Sequence, residues 1–371
     1  MRNFLCALLA LICFLSGAPA SFADGIPALK KYAPALPGYK FRFPDDHRSH
    51  NNFKTEWWYY TGHLNSKDGK EFGFELTFFR SAVPIQDGVK SGPWRMDNIY
   101  MTHFALTDVQ QKRFFHKEKL CRPGLTNAGA DQLELNLRTE NWTAARKDNA
   151  HYLSASDGDC AIKLRLEESR NPVIHGQNGV SQKASCLGCA SHYYSFSRMP
   201  LKGEIISFGK KYEVEGIAWM DHEFGSNQLT SEQIGWDWYS IQLNDNSELM
   251  LYLMRLKNGK FDPNSSGTIV YADGKTKHLN LNAYVVDTTS FWKSSKTGAV
   301  YPSAWRIKID DEKIDLKIEA LVSDQELASD RSAISYWEGS CKVSGSKQGK
   351  PVAGRAYVEL TGYDKEFKQK I

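Results

Sequence analysis

The runs Glu56–Leu64, EWWYYTGHL, and Phe72–Arg80, FGFELTFFR, flank an Asp68-Gly69 pair. An Asp-Gly dipeptide between two aromatic, β-prone runs is a strong hairpin signal, because glycine supplies the positive φ that a tight hairpin turn demands. The second run alternates: Phe72, Phe74, Leu76 and Phe78 share one face, and Gly73, Glu75 and Thr77 the other. That is the two-residue period of a strand. In the first run Glu56 and Trp58 share a face, while Trp57, Tyr59 and His63 take the opposite one.

Strand patterns continue outward from this hairpin. Tyr100–Thr107 (YMTHFALT), Leu133–Thr139, Ala161–Glu167, His192–Met199 and Tyr212–Met220 (YEVEGIAWM) follow in turn. A second series opens with Trp236–Leu243 (WDWYSIQL) and Glu248–Lys257 (ELMLYLMRLK), joined by a polar turn at Asn244 and Asp245. Asn258-Gly259 and Asp273-Gly274 mark further turns, and Ala304–Ile309, Ile314–Val322 and Gly354–Thr361 close the chain. Helical windows are scarce and short, the best being Thr230–Ile234 and Asp324–Ser329. Many short strands with frequent turns predict an all-β protein, a sandwich or barrel. Two groups of about eight strands would make two barrels. The divisions expected are a signal peptide at 1–23, an extended arm at 24–49, an N-terminal domain at 50–230 and a C-terminal domain at 231–368.

The 371 residues suffice for two ordinary domains. Hydrophobic residues at 41% and charged residues at 24% give a globular balance. Aromatic residues reach 12%, a composition suited to strands and apolar pockets. A net charge of +4 over this length, with no Lys/Arg cluster, gives no electrostatic footprint for nucleic acid.

The N-terminus reads as a secretion signal. Arg2 supplies the positive start, Leu5 to Leu15 is an apolar run too short to span a bilayer, and Ala18-Pro19-Ala20 and Ser21-Phe22-Ala23 both fit cleavage sites. No later run is long enough for a membrane span. The expectation is export to the periplasm or beyond. Of the 7 cysteines, Cys6 and Cys13 lie in this segment, leaving Cys121, Cys160, Cys186, Cys189 and Cys341. An odd number leaves at least one thiol unpaired or pairing between chains. Cys186-x-x-Cys189, followed by His192, admits a local disulfide, a redox pair or part of a zinc site. No second pair has zinc spacing and no βαβ setting surrounds it, so a structural disulfide is preferred and neither metal nor other cofactor is expected.

Several segments together resemble the family of the AttH proteins and carotenoid 1,2-hydratases. They are Lys54–Leu64 (KTEWWYYTGHL) with Phe72–Arg80, Trp94–Asp108 (WRMDNIYMTHFALTD), Ala190–Met199 (ASHYYSFSRM), Gly216–Gly225 (GIAWMDHEFG) and Gly235–Leu243 (GWDWYSIQL). The resemblance runs from about His50 to Tyr363. It implies two lipocalin-like barrels side by side and a pocket for a large apolar, lipid- or isoprenoid-like ligand. Members are labelled secreted hydrolases or hydratases, and more distant relatives are fungal pericyclases. AttH-type members are often encoded beside ABC-transporter permeases, which makes such a permease a candidate partner. The resemblance leaves open hydration by acid, hydrolysis of a lipid-like ester, or a lipid chaperone without catalysis.

Asp221-His222-Glu223 is the most polar cluster, and it follows an apolar strand end, Ile217 to Met220. In extended chain Asp221 and Glu223 share a face and His222 points the other way. A carboxyl group in an apolar cavity has its pKa raised and can serve as a general acid; a buried network joining two barrels is the competing reading. Asp237 and Tyr239 form a second candidate pair, on one face with Ile241 and Leu243. Ligand-binding candidates are Glu56, Trp58, His103, Tyr194, Trp219, Trp236 and Trp238, whose aromatic faces could stabilise a carbocation or simply fill a core. There is no G-x-S-x-G elbow, P-loop or G-x-G-x-x-G, and His222-Glu223 lacks the second histidine of a zinc-protease motif, since position 226 is Ser.

Overall fold

The computed structural model describes residues 31–83, 96–123, 126–227, 229–329, 332 and 334–367. The expected signal segment 1–23 and the first part of the arm, 24–30, lie outside these. Among the described residues there is no α-helix, only three short 3-10 turns at Asp45–His47, Leu281–Ala283 and Asp310–Glu312. The helices expected at Thr230–Ile234 and Asp324–Ser329 do not form. Gln233 instead opens a strand, and Glu326–Ala328 pairs with Ser335–Lys347. A five- or six-residue window cannot repay helix nucleation when a sheet edge offers its hydrogen bonds directly.

Two antiparallel sheets lie side by side, one of 13 strands forming a nearly closed barrel and one of 10 forming a half-barrel. The extra strands over the expected eight or so are mostly two to four residues long, too short to show a period. In the first sheet the hairpin Thr55–Ser66/Glu71–Ala82 is central. Its first strand also pairs with Lys210–Gly225, which pairs with Ala190–Ser207. In the second sheet Gln233–Leu243 lies between Glu248–Leu256 and Lys350–Thr361.

Two strands run longer than their sequence pattern predicts. Ala190–Ser207 spans 18 residues with a bulge between Phe196 and Met199, and Lys210–Gly225 spans 16. Asp221-His222-Glu223 therefore sits inside a strand, with Asp221 opposite Tyr59, His222 opposite Trp58 and Glu223 opposite Trp57. The charges do not end the strand, because each finds buried partners on a neighbouring one.

Each sheet encloses its own core. Trp58, Tyr60, Phe74, Trp142 and Tyr194 are among the side chains filling the first. Tyr239, Tyr301, Trp305 and Trp337 belong to the second. A third cluster, containing Tyr59, Tyr193, Trp219, Trp238, Met250, Tyr252 and Met254, lies between the sheets. Strands that face a barrel core on one side and the other sheet on the reverse bury both faces, which explains the unbroken aromatic run WWYY at Trp57–Tyr60. Where the sheets meet most closely, a Cβ on Gly73 would stand 2.7 Å from Ser340 Cβ, so only glycine admits this approach. Nearby, Ser340 Oγ lies 3.0 Å from His63 Nδ1, and Thr107 donates to Gln325 at 2.9 Å. Overfilling such a contact costs about 1–3 kcal/mol. Gly73→Val should therefore lower the free energy of unfolding by that amount, read as a lower denaturant midpoint at unchanged slope; an unchanged midpoint would show that the sheets are not in contact there.

Candidate functional site

At the other end of the seam the sheets part around a cavity of about 170 Å³. The first sheet supplies Trp57, Tyr59, Tyr193, Asp221 and Glu223; the second supplies Trp236, Trp238, Tyr252, Met254, Tyr336 and Glu359. The strand period explains the selection: residues at alternate positions face the seam while their neighbours enter a barrel. The pocket thus lies between the two sheets rather than inside either barrel, since the barrel interiors are occupied by large aromatic side chains.

Asp221 is the central ionisable group. Ser195 Oγ and Trp219 Nε1 both donate to Oδ1, the latter at 2.6 Å, and Tyr193 Oη donates to Oδ2 at 2.8 Å. Tyr193 Oη in turn accepts from Trp238 Nε1 of the second sheet at 3.1 Å. Ser195 Oγ is also 2.6 Å from His175 Nε2. Burial raises the Asp221 carboxyl to about 7, outweighing the three donors, which favour the anion. Glu223 takes a different course: Lys183 Nζ stands 3.0 Å from it and Ser191 donates to it. The Lys183 ammonium also lies 4.2 Å from the Tyr252 ring centre, a cation–π contact within the cavity wall.

The second sheet adds acids that the sequence reading did not single out. Burial raises Glu359 to about 8, although Trp236 Nε1 donates to it at 3.1 Å. Burial, then the charges of Glu75 and Glu359, raise Glu338 well above the usual carboxylate range. Tyr59 Oη donates to Glu338 Oε1, while Oε2 has no partner among the described residues. The available signal was an acid inside an otherwise apolar strand, as in Tyr336-Trp337-Glu338 and Tyr357-Val358-Glu359-Leu360.

His222, Trp58 and Tyr194 lie inside the first barrel, on the far side of the strand from Asp221. His222 Nε2 donates to Glu56 Oε1 at 2.8 Å, and its Nδ1 is 3.0 Å from Tyr194 Oη. The His222 ring stacks on Trp58 at 4.7 Å. Glu56, which reaches the cavity edge, also meets His50 Nδ1 at 2.8 Å and Arg80 Nε at 3.0 Å. Burial opposes its charge, but hydrogen bonds from His222 and His50, with Arg80 beside it, hold it well below the usual range. Burial lowers His222 to about 4, so it is neutral at pH 7. The metal-binding atoms of His50, Glu56 and His222 lie within 4.8 Å of one another. That is a two-histidine, one-carboxylate set. Its atoms already satisfy each other, however, and the adjoining guanidinium repels a cation. The geometry is that of a closed hydrogen-bond network.

Asp237 and Tyr239 do not join Asp221. Both point into the second barrel, where Arg255 Nε donates to Asp237 at 2.9 Å and Tyr363 Oη donates to it at 3.0 Å. Tyr239 belongs to the core there. Their expected acid pairing is thus replaced by an ion pair for Asp237 and by packing for Tyr239. His103 lines the seam cavity, and Trp219 adjoins it through Asp221. Cys186 and Cys189 form a disulfide, and Cys121, Cys160 and Cys341 are buried thiols.

The model of the AttH-like family matches residues 34–363. A solved structure of an AttH-assigned protein of Nitrosomonas europaea is 34% identical, with TM-score 0.79 over 89% of this chain and 99% of that one. Kievitone hydratase from Nectria haematococca has TM-score 0.68 at 14% identity, over 91% of this chain and 97% of its own. CghA bound to Sch210972 has TM-score 0.51 at 12% identity, over 89% and 95%. These two likenesses are of fold. None of the curated proteins matches the chain in sequence. Matched over most of its length by the family model and by a third of its residues to the Nitrosomonas protein, the chain belongs to the AttH-like family.

Proposed function

We propose that this protein binds a large apolar, unsaturated ligand in the seam cavity and that Asp221 donates a proton to it, as in a hydratase or isomerase. The observation that carries this reading is a buried carboxyl, raised to about 7 by burial, in a cavity walled by Trp57, Tyr59, Tyr193, Trp236 and Trp238. Near neutrality such a group is protonated in a large fraction of molecules and is matched to proton transfer. Protonating a carbon–carbon double bond breaks the Asp221 O–H bond, forms a C–H bond and leaves a carbocation. Facing aromatic rings stabilise that cation by roughly 0.5–2 kcal/mol each. Water then captures it through a new C–O bond and gives up one of its protons, and the Asp221 carboxylate regains a proton, so that H and OH are the net addition. The fold shared with kievitone hydratase supports this class of reaction.

The N-terminal segment Arg2–Ala23 supports export to the periplasm or medium, where an ABC-transporter permease is a candidate partner. A second reading has its own observation. The three hydrogen bonds to Asp221 would suit a fixed structural anion, and the protein would then be a lipid chaperone coupled to such a transporter. Hydrolysis of a lipid-like ester is disfavoured by the absence of a nucleophile elbow.

Protein purified from its own host should carry an apolar ligand visible by native mass spectrometry and recoverable by solvent extraction. No bound mass, together with unquenched tryptophan emission on adding apolar ligands, would sink the reading. Asp221→Asn should keep binding and lower turnover of the extracted compound by about 10²-fold or more; undiminished turnover would favour the chaperone. Stability should show the same group. Because Asp221 has a folded pKa above its unfolded one, the folded state holds its proton more tightly, and this contribution is lost as pH rises from about 4 through about 7. Chemical denaturation across that range should show a falling component absent from the Asn variant, and parallel curves would contradict the assignment.

A further inference from the structure

We propose that Tyr336, His103 and Glu118 form a second acid–base centre of the cavity, a relay that takes a proton from the bound ligand or from water adding to it. The inference rests on the seam cavity being the ligand site. It is carried by a chain of contacts crossing the seam. His103 and Glu118 face each other across the paired strands Asn98–Asp108 and Arg113–Cys121, and His103 Nε2 is 3.1 Å from Glu118 Oε2. His103 Nδ1 is 2.5 Å from the hydroxyl of Tyr336, which comes from the second sheet. The His103 and Tyr336 rings stack with centres 5.5 Å apart, and both residues line the cavity. A carboxylate that orients an imidazole, which in turn meets a hydroxyl at a cavity wall, is the arrangement of an activated proton acceptor.

The hydrogen-bond pattern fixes a direction. Burial would raise Glu118, but hydrogen bonds from His103, Ser332 and Ser329 hold it at about 2, so it is an anion that accepts His103 Nε2–H. Nδ1 is then the acceptor for the Tyr336 proton. That proton is shared with Glu75 Oε1 at 3.2 Å. Burial, together with the charges of Glu75, Glu338 and Glu359, disfavours a tyrosinate at position 336. Tyr336 must therefore pass a proton on rather than store the negative charge. As the ligand O–H or activated C–H bond breaks, its proton goes to Tyr336 Oη, the Tyr336 proton goes to His103 Nδ1, and the bonding pair stays on the ligand. The imidazolium is stabilised by Glu118, which acts as a positioning residue. In a hydration, Asp221 supplies the proton to carbon and this relay removes one from the entering water. The substrate class is then an apolar molecule with an unsaturated or enolisable centre.

A mere lock between the sheets would require the same contacts but would move no protons. The test uses 2-tetralone, an apolar ketone with enolisable C–H bonds, and the full chain in D₂O. Binding is read from tryptophan quenching and deuterium uptake from mass spectrometry. The wild type should accelerate exchange saturably, by at least about tenfold over buffer. Tyr336→Phe, of the same shape, should return exchange to the buffer rate with binding retained. Glu118→Gln should lower the saturating rate about tenfold while leaving half-saturation unchanged, a split that a packing defect would not produce. Binding without acceleration, or acceleration indifferent to both substitutions, overturns the relay and leaves the cavity reading standing. Exchange that survives Tyr336→Phe but vanishes in Asp221→Asn also overturns it, assigning the base to Asp221. Absence of tetralone binding overturns both.

Discussion

The burial of one sheet's outer face against the other is the constraint on which the rest of the molecule depends. Strands such as Thr55–Ser66 have no solvent side: Trp58 and Tyr60 enter the first barrel, while Trp57 and Tyr59 enter the seam. Every polar group on these strands must then find a partner inside the protein, because an unpaired buried group costs about 1–3 kcal/mol. The seam meets that demand in two ways. Where the sheets touch at Gly73 and Ser340, short side chains bond directly across, as His63 does to Ser340. Where they part, indole and phenol groups provide both the apolar wall and the polar contact, as Trp238 does by donating to Tyr193.

Two kinds of buried carboxylate result, separated by their surroundings rather than their depth. Glu56 has an arginine and two histidines within hydrogen-bonding distance and stays ionised. Asp221 and Glu359 have only neutral donors, so burial prevails and their pKa values rise towards neutrality and beyond. A single cation does not by itself reverse burial: Asp237 stays raised beside Arg255, whereas Glu56 has Arg80 and two histidines together. One strand, Lys210–Gly225, serves both: His222 turns inward to the ionised network, and Asp221 turns outward to the cavity. A single-residue shift in register would exchange the two environments, so the pairing of Asp221 with Tyr59 fixes the chemistry as well as the fold.

Much of this was legible from residue order. Two-residue alternation in Phe72–Phe78 and the Asp68-Gly69 turn predict the hairpin, and alternation alone places Asp221 and Glu223 opposite His222. It also places Asp237 and Tyr239 opposite Trp236 and Trp238. Alternation cannot say which face of a doubly buried strand meets a cavity and which meets a core. For that reason Asp237 and Tyr239 are indistinguishable in sequence from a site pair, although they face the second barrel. Strand ends were equally obscure at Asp221-His222-Glu223, because polar groups that ordinarily end a strand here find hydrogen-bonding partners on neighbouring strands.

The sequence by itself determined the period of each strand, the turns between them and the aromatic supply for two cores and a seam, because these depend on neighbours a few residues apart. The tertiary structure alone decided that the cavity lies between the sheets, that Glu338 and Glu359 join Asp221 near it, and that Tyr336 meets His103 across 233 residues of chain. The physical reason is that a carboxyl group's charge and a histidine's tautomer are set by permittivity and by partners in space. Neither quantity exists until the two sheets have closed on one another.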